Sequence, residues 1–352
     1  MRLNFEALRL ARESRGITQD VLADRLGIRQ GQLSKIEKGF SDIDQSQLMR
    51  LSEILNYPSE FFLTERRVAR VEGHFRRKKN IPVKEMKEYV SKMTLRDWHL
   101  LSLLDEVALP RLNLPKWDLE FDGVDFAACA AYVREYWKIP VGSRIENITK
   151  VLEDNGFVIF TLDLGDDMDG FSCYSTGGNI PLIFINRNIP PDRYRLTAAH
   201  EAFHHILHFG RKTDEDEIEK QAYSGAINFL IPKNTIIPYL HRLTIEKLGD
   251  LKRYWGVSMA ALIRYAFSLN MITSNQYKYY NIQLSKLGYK RMEPVTVWSE
   301  TPTLFREILT MFITELGYTR EEVAKLMMIT PEELGREYLD DRKYSATHLK
   351  IA

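Results

Sequence analysis

The stretch LTAAHEAFHHILHFG runs from Leu196 to Gly210 and holds His200, His204, His205 and His208, four of the chain's 8 histidines. NIPPDRYR before it brings prolines suited to a helix start, and Gly210 suits a helix exit. A helix turns about 100° and rises about 1.5 Å per residue. His200 and His204, four residues apart, therefore share one face about 6 Å apart along the axis. His205 is turned about 100° further round, and His208 lies near the same face but about 12 Å from His200. The cluster resolves into one pair and two bystanders. Glu201 follows His200 directly, so H-E-A-F-H fits HExxH. In that pattern two imidazoles grip zinc and the carboxylate works on a bound water. Both histidines must be neutral to bind, so activity should fall in acid.

A third ligand has to come from another element. TDEDEIEKQAYSGAINFLIP, beginning at Thr213 as a plausible cap, turns helical with Ile218, Ala222, Ala226 and Phe229 inward. Glu219 flanks that stripe beside Ala222 and is the expected third ligand, with Glu215 in reserve. Asp214 and Asp216 read as a solvated helix start favoured by the macrodipole. Before the histidine helix, GFVIFTLDL, GFSCYS and IPLIFIN are β-rich runs separated by Asp/Gly and Gly-Gly turns, which predicts a small three-stranded meander.

The 352 residues suggest two or three domains, and 44% hydrophobic with 28% charged residues reads as a soluble globular protein. No apolar run of about 18 residues occurs, so no membrane span is expected. The amphipathic, charged N-terminus lacks the apolar block of a signal peptide. Cys129 and Cys173 are too few for a disulfide scaffold, and cytoplasmic location is the default expectation. The net charge of +1 is uneven: residues 1–80 hold 16 Lys/Arg against 11 Asp/Glu. A basic front end hints at a polyanion partner. RRKK at 76–79 reads as a solvated linker rather than a phosphate contact.

Residues 4–62 read as five short helices. FEALRLARESRG places Phe5, Leu8 and Ala11 on one face. TQDVLADRLGI has Thr18 as N-cap, with Val21, Leu22 and Leu26 as its stripe. RQGQLSKIEKG turns Leu33 and Ile36 inward and leaves Arg29, Gln30, Gln32, Ser34, Lys35 and Lys38 outward. Two short helices around a glycine turn make a helix-turn-helix, whose second helix can read base edges in the major groove of double-stranded DNA. ITQDVLADRLGIRQGQLSKIEKG resembles the XRE-type helix-turn-helix of phage repressors. The resemblance implies that Gln19 contacts backbone phosphate and that Arg29, Gln30 and Gln32, with Lys35, face the bases. It also implies a homodimer on paired half-sites.

RYRLTAAHEAFHHILH followed by EKQAYSGAINFLIP resembles the ImmA/IrrE-type metallopeptidases, over roughly residues 66–294. The resemblance implies a zincin-like domain with Zn2+ held by His200, His204 and Glu219, and Glu201 as the catalytic carboxylate. It also implies a protein substrate, a repressor acting as partner or neighbour. Tyr223 stands where the family has Asn or Asp, Gly225 where it has Phe, and Ala202-Phe203 where it has Leu-Gly. In other zincins the strand before the metal helix is an edge that receives substrate, which points to IPLIFIN. Tyr194, Tyr223 and His205 are the candidates for oxyanion stabilisation.

After Pro294, Thr319 with Glu322 and Thr330-Pro331 with Glu333 start two helices in a helix-turn-helix-like order. The third helix is acidic where a DNA reader would be basic, so it reads as an accessory or dimerisation element. The fold class expected is α+β. Residues 1–65 form an all-α helix-turn-helix domain and 66–115 a helical connector. Residues 116–294 form a zincin-like metallopeptidase domain with a β-meander and HExxH helix, and 295–352 a helical accessory region. Two functions follow: a DNA-binding regulator with a zinc endopeptidase that cleaves a repressor, or an antitoxin-like DNA-binding protein whose zincin domain senses or binds without turnover.

Overall fold

The computed structural model describes residues 3–73, 81–208 and 214–339. Five helices open the chain: α1 (Phe5–Ser14), α2 (Gln19–Leu26), α3 (Gln30–Ile36), α4 (Gln45–Leu55) and α5 (Ser59–Leu63). Thr18 caps α2 by accepting from the Val21 amide, and Gly27 closes it at φ 73°, a conformation that favours glycine. Leu8, Leu22, Leu33, Leu51, Phe61 and Phe62 fill the core between these helices. Phe5 and Val21, expected inward, are exposed; Ala7, Leu8, Leu10 and Ala11 on α1 and Leu22, Ala23 and Leu26 on α2 form the buried faces instead. Buried Arg12 on α1 meets Glu37, just past α3, at 2.5 Å. Removing either partner strands a buried charge, a loss of about 3–5 kcal/mol.

Helix α6 (Val83–Leu101) runs out of this bundle. Its Leu95 and Trp98 lie in the first core, while Tyr89, Met93 and Leu100 lie in a second. The metal-motif region follows with α7 (Phe126–Tyr136), α8 (Ile148–Asp154), β1 (Val158–Leu162), β2 (Gly170–Tyr174), β3 (Pro181–Asn186), α9 (Pro191–Leu207) and α10 (Glu215–Leu230). Then come α11 (Lys233–Ile236), α12 (Ile245–Trp255), α13 (Met259–Ser268) and α14 (Ser274–Lys286). The chain closes on α15 (Leu304–Thr314), α16 (Arg320–Met327) and α17 (Pro331–Leu334). Mixed α+β architecture, with an N-terminal helix-turn-helix and a three-stranded sheet, is as expected.

The sheet is not a meander. Its order is β1-β3-β2, with β3 parallel to β1 and antiparallel to β2. IPLIFIN is therefore the central strand and not an edge, and β2 is the strand beside α9's histidines. The reason lies in the residues. All six positions of β3 are buried, whereas β2 alternates between partly and fully buried. A strand that is apolar on both faces belongs in the middle with cover on both sides. Ile183 and Ile185 face the core shared with α9 and α10; Leu182 and Phe184 face the core shared with α15 and α16.

The C-terminal helices supply that second cover through Phe305, Ile308, Leu309 and Phe312. The acidic character of α17 and the turn after it has a local reason: Glu333 meets Arg15, at the end of α1, at 2.6 Å, and Glu337, just past α17, meets Arg96 of α6 at 2.9 Å. Between these pairs His99 Nδ1 lies 2.5 Å from the Tyr338 hydroxyl in a buried seam. Burial, reinforced by Arg96, Arg15 and Arg66, pushes the His99 pKa well below its ordinary value. The unfolded chain therefore takes up this proton first. Stability is full above the unfolded pKa of about 6.5 and falls as pH drops through it. Thermal unfolding measured between pH 7.5 and pH 4.5 should show a shallower acid loss in His99→Gln than in the wild type; identical slopes would exclude His99 as a source of the acid sensitivity.

Candidate metal centre

Pro191 occupies the first position of α9, where its missing amide hydrogen costs nothing. Ala198, Ala199 and Ala202 are fully or almost fully buried, so α9 lies close to its neighbours. Gly170 of β2 permits this approach: a side chain there would meet Thr197 Cγ2 at 2.5 Å and Glu201 Oε1 at 3.2 Å. Helix α10 begins with Asp214, whose carboxylate accepts from the Asp216 and Glu217 amides. The cap expected at Thr213 is thus taken by Asp214; Thr213, Gly210 and RRKK at 76–79 lie outside the described residues.

Across the α9–α10 seam, Gly225 faces Phe203. A Cβ at 225 would overlap the Phe203 ring, which is itself completely buried. The two departures from the family pattern therefore answer each other. The Phe203 ring occupies the space that a side chain at position 225 would need.

That seam brings His200, His204 and Glu219 together. The two Nε2 atoms are 3.0 Å apart. Glu219 Oε2 is 3.2 Å from His200 Nε2, and Oε1 is 3.4 Å from His204 Nε2. The donor set is two imidazole nitrogens and one carboxylate oxygen, within 4.8 Å of one another. Tetrahedral zinc with bonds of about 2.0–2.1 Å sets its ligand atoms about 3.4 Å apart, so the residues present fit that ion. Burial works against the charge of Glu219, but hydrogen bonds and attraction from His200 and His204 prevail and hold its pKa below the ordinary range. Glu215, the reserve, is exposed on the first turn of α10.

Glu201 is buried and points to β2, where its Oε2 accepts from Ser172 Oγ at 2.7 Å. Burial pushes its pKa up, while His204 and the Ser172 hydrogen bond pull it down. The Ser172 contact was not anticipated. Its signal is the alternation in GFSCYS, where Phe171 and Cys173 are buried in the second core and Ser172 sits between them. His205 looks away, its ring edge-on to Tyr174 at 4.6 Å between centroids, and burial pushes its pKa down to about 3. His208 hydrogen-bonds Gln221 at 2.9 Å and so ties the end of α9 to α10. Tyr194 accepts from Thr149 Oγ1 in a buried contact, away from the open groove. Tyr223 lines the groove with the histidines and lies under the Arg264 guanidinium, 3.7 Å from its ring centroid. The groove has a volume of about 1230 Å³ and runs from Asp167–Phe171 past the three ligands to α13, α14 and the segment around Lys290.

In the N-terminal bundle Arg29, Gln32 and Lys35 are exposed along α3. Gln30 donates to Gln19 Oε1 at 2.9 Å, and Gln19 donates to Glu37 Oε2 at 2.7 Å. The starts of α2 and α3 are thereby linked, and Arg29 precedes α3 without a side-chain cap.

Comparison with known proteins agrees with this division. The helix-turn-helix family model matches residues 8–62, and the IrrE N-terminal-like domain model of peptidase family M78 matches residues 152–266. Residues 8–62 are thus an XRE-type helix-turn-helix, and residues 152–266 an IrrE N-terminal-like domain. Two curated relatives, each called an uncharacterized HTH-type transcriptional regulator, come from Sinorhizobium medicae (strain WSM419) and Rhizobium meliloti (strain 1021). Each is 40% identical over 58 residues, which cover 16% of this chain and 42% of the relative. The match thus spans about two fifths of the length of these relatives.

The Phe203–Gly225 exchange yields a double-mutant cycle in urea unfolding. Phe203→Gly should cost about 3–5 kcal/mol and Gly225→Phe about 1–3 kcal/mol. The double variant should recover about 2 kcal/mol of their sum, as expected for residues in contact. Strict additivity would mean that the two positions do not share one space.

Proposed function

We propose that the chain is a DNA-binding transcriptional regulator whose second domain is a zinc endopeptidase that cleaves a repressor protein, either a partner or itself. The single observation that carries this reading is the convergence of His200, His204 and Glu219 beside a buried Glu201. The family match supports it. Bound at these ligands, zinc would supply Lewis-acid polarisation of a water molecule, lowering its pKa towards neutrality. The rest falls to the chain's own groups. Glu201 takes a proton from the attacking water and returns it to the leaving amide nitrogen. Its raised pKa suits a group that holds that proton briefly. Ser172 Oγ fixes the orientation of the Glu201 carboxylate.

The helix-turn-helix supports DNA binding, with Arg29, Gln32 and Lys35 exposed towards base edges and the Gln19–Gln30 pair at the helix starts beside phosphate. No described helix is long and apolar enough to cross a membrane. A homodimer on paired half-sites, working in the cytoplasm, belongs to the same reading.

Glu201→Gln keeps both imidazoles and Glu219 in place. In a co-expression assay with the neighbouring repressor, this variant should retain zinc and DNA affinity and lose about 10²–10⁴-fold in cleavage rate. Repressor loss that continues unchanged in Glu201→Gln would overturn the peptidase reading and leave a metal-binding sensor domain in its place.

A further inference from the structure

The cations that line the groove divide into two groups. Arg193 is held by Asp169 at 2.6 Å, and Lys252 by Asp192 at 2.6 Å and Glu293 at 2.7 Å. Arg264, Lys290 and Arg291 line the same groove, are exposed, and form no ion pair within 4.0 Å among the described residues. These three come from one side, α13 and the segment after α14. Arg264 is also held in place: its guanidinium stacks on the ring of Tyr223. Stacking fixes the plane of the fork and leaves its edge N–H groups free, the arrangement that grips a carboxylate through two hydrogen bonds. Tyr223 lies on α10 one turn beyond Glu219, so the stacked cation stands about 6 Å further along the helix that carries the third ligand. A peptide crossing the ligands would bring a neighbouring side chain to it.

We propose that the groove receives an acidic peptide segment, and that Arg264 recognises an Asp or Glu side chain beside the scissile bond, with Lys290 and Arg291 adding attraction. For cleavage this rests on the peptidase reading above; for binding it stands apart from it. The charge on this side of the groove would also speed encounter with an acidic partner, an effect that fades with salt.

The test uses the full-length zinc-loaded chain and two fluorescein-labelled octapeptide pools, mixed in sequence except for a fixed central Glu or Gln. Binding is read by anisotropy in the Glu201→Gln background, which prevents turnover. The Glu pool should bind about tenfold more tightly than the Gln pool, the strength of one charge-assisted pair. Adding Arg264→Gln should erase that preference, and Arg264→Glu should shift it to a third pool with a central Lys, with zinc content unchanged in both. Equal binding of the Glu and Gln pools, or a preference that survives Arg264→Gln, would overturn the assignment. So would stronger displacement of the Glu pool by a ten-residue oligothymidylate than by unlabelled peptide, which would give the groove to nucleic acid. Cleavage by the chain with Glu201 intact separates the two readings. An Arg264-dependent binding preference without cleavage of any pool upholds the acidic-peptide assignment and removes the peptidase. Equal cleavage of Glu and Gln pools does the reverse.

Discussion

The candidate metal centre depends on how closely α9 lies against α10. Two histidines one turn apart are a local property of any helix. A carboxylate from another helix within 3.2–3.4 Å of both imidazoles is not. That distance needs small residues along both helices, Ala198, Ala199 and Ala202 on α9 and Ala222, Gly225 and Ala226 on α10, with the Phe203 ring over Gly225 and against Phe229. Interiors are packed as densely as organic crystals, so a change of one ring in this seam moves the ligands rather than being absorbed. Gly170 plays the same part towards β2, and it brings Ser172 to Glu201.

A second constraint is the two-faced central strand. Because β3 is buried at every position, the sheet cannot lie on one core only. The histidine helix covers one face and the C-terminal helices cover the other. Through this second core the last helices reach α6, and α6 also places Leu95 and Trp98 in the core of the helix-turn-helix. The ion pairs Arg15–Glu333 and Arg96–Glu337 bridge the same junction. The helix-turn-helix bundle and the domain of the candidate metal centre therefore rest on one shared helix, and a shift of α6 would be felt in both cores.

Much of the site was legible in the chain because its signals are local. The spacing of His200 and His204 selects a face, and Glu219 follows from its place beside an inward stripe. The exclusion of His205 and His208 follows from helical geometry alone. The strand order was not legible, because pairing between strands is set by long-range burial. The continuous apolar run of IPLIFIN was the available clue to a central strand, and the expectation of an edge set it aside. The reason for Tyr223, Gly225 and Phe203 was hidden as well. Each reads as a departure by itself, and only contact across two helices shows that Gly225 and Phe203 complement one another. Arg264 carries no motif at all, and its place in the groove depends on the packing of α13 on α10.

The central claim is that His200, His204 and Glu219 bind one ion together. The most direct measurement is zinc K-edge X-ray absorption on the purified chain. The account predicts one zinc per chain with two imidazole nitrogens and light oxygen donors at about 2.0–2.2 Å. A chain without zinc, or zinc in a shell lacking paired imidazoles, would contradict it.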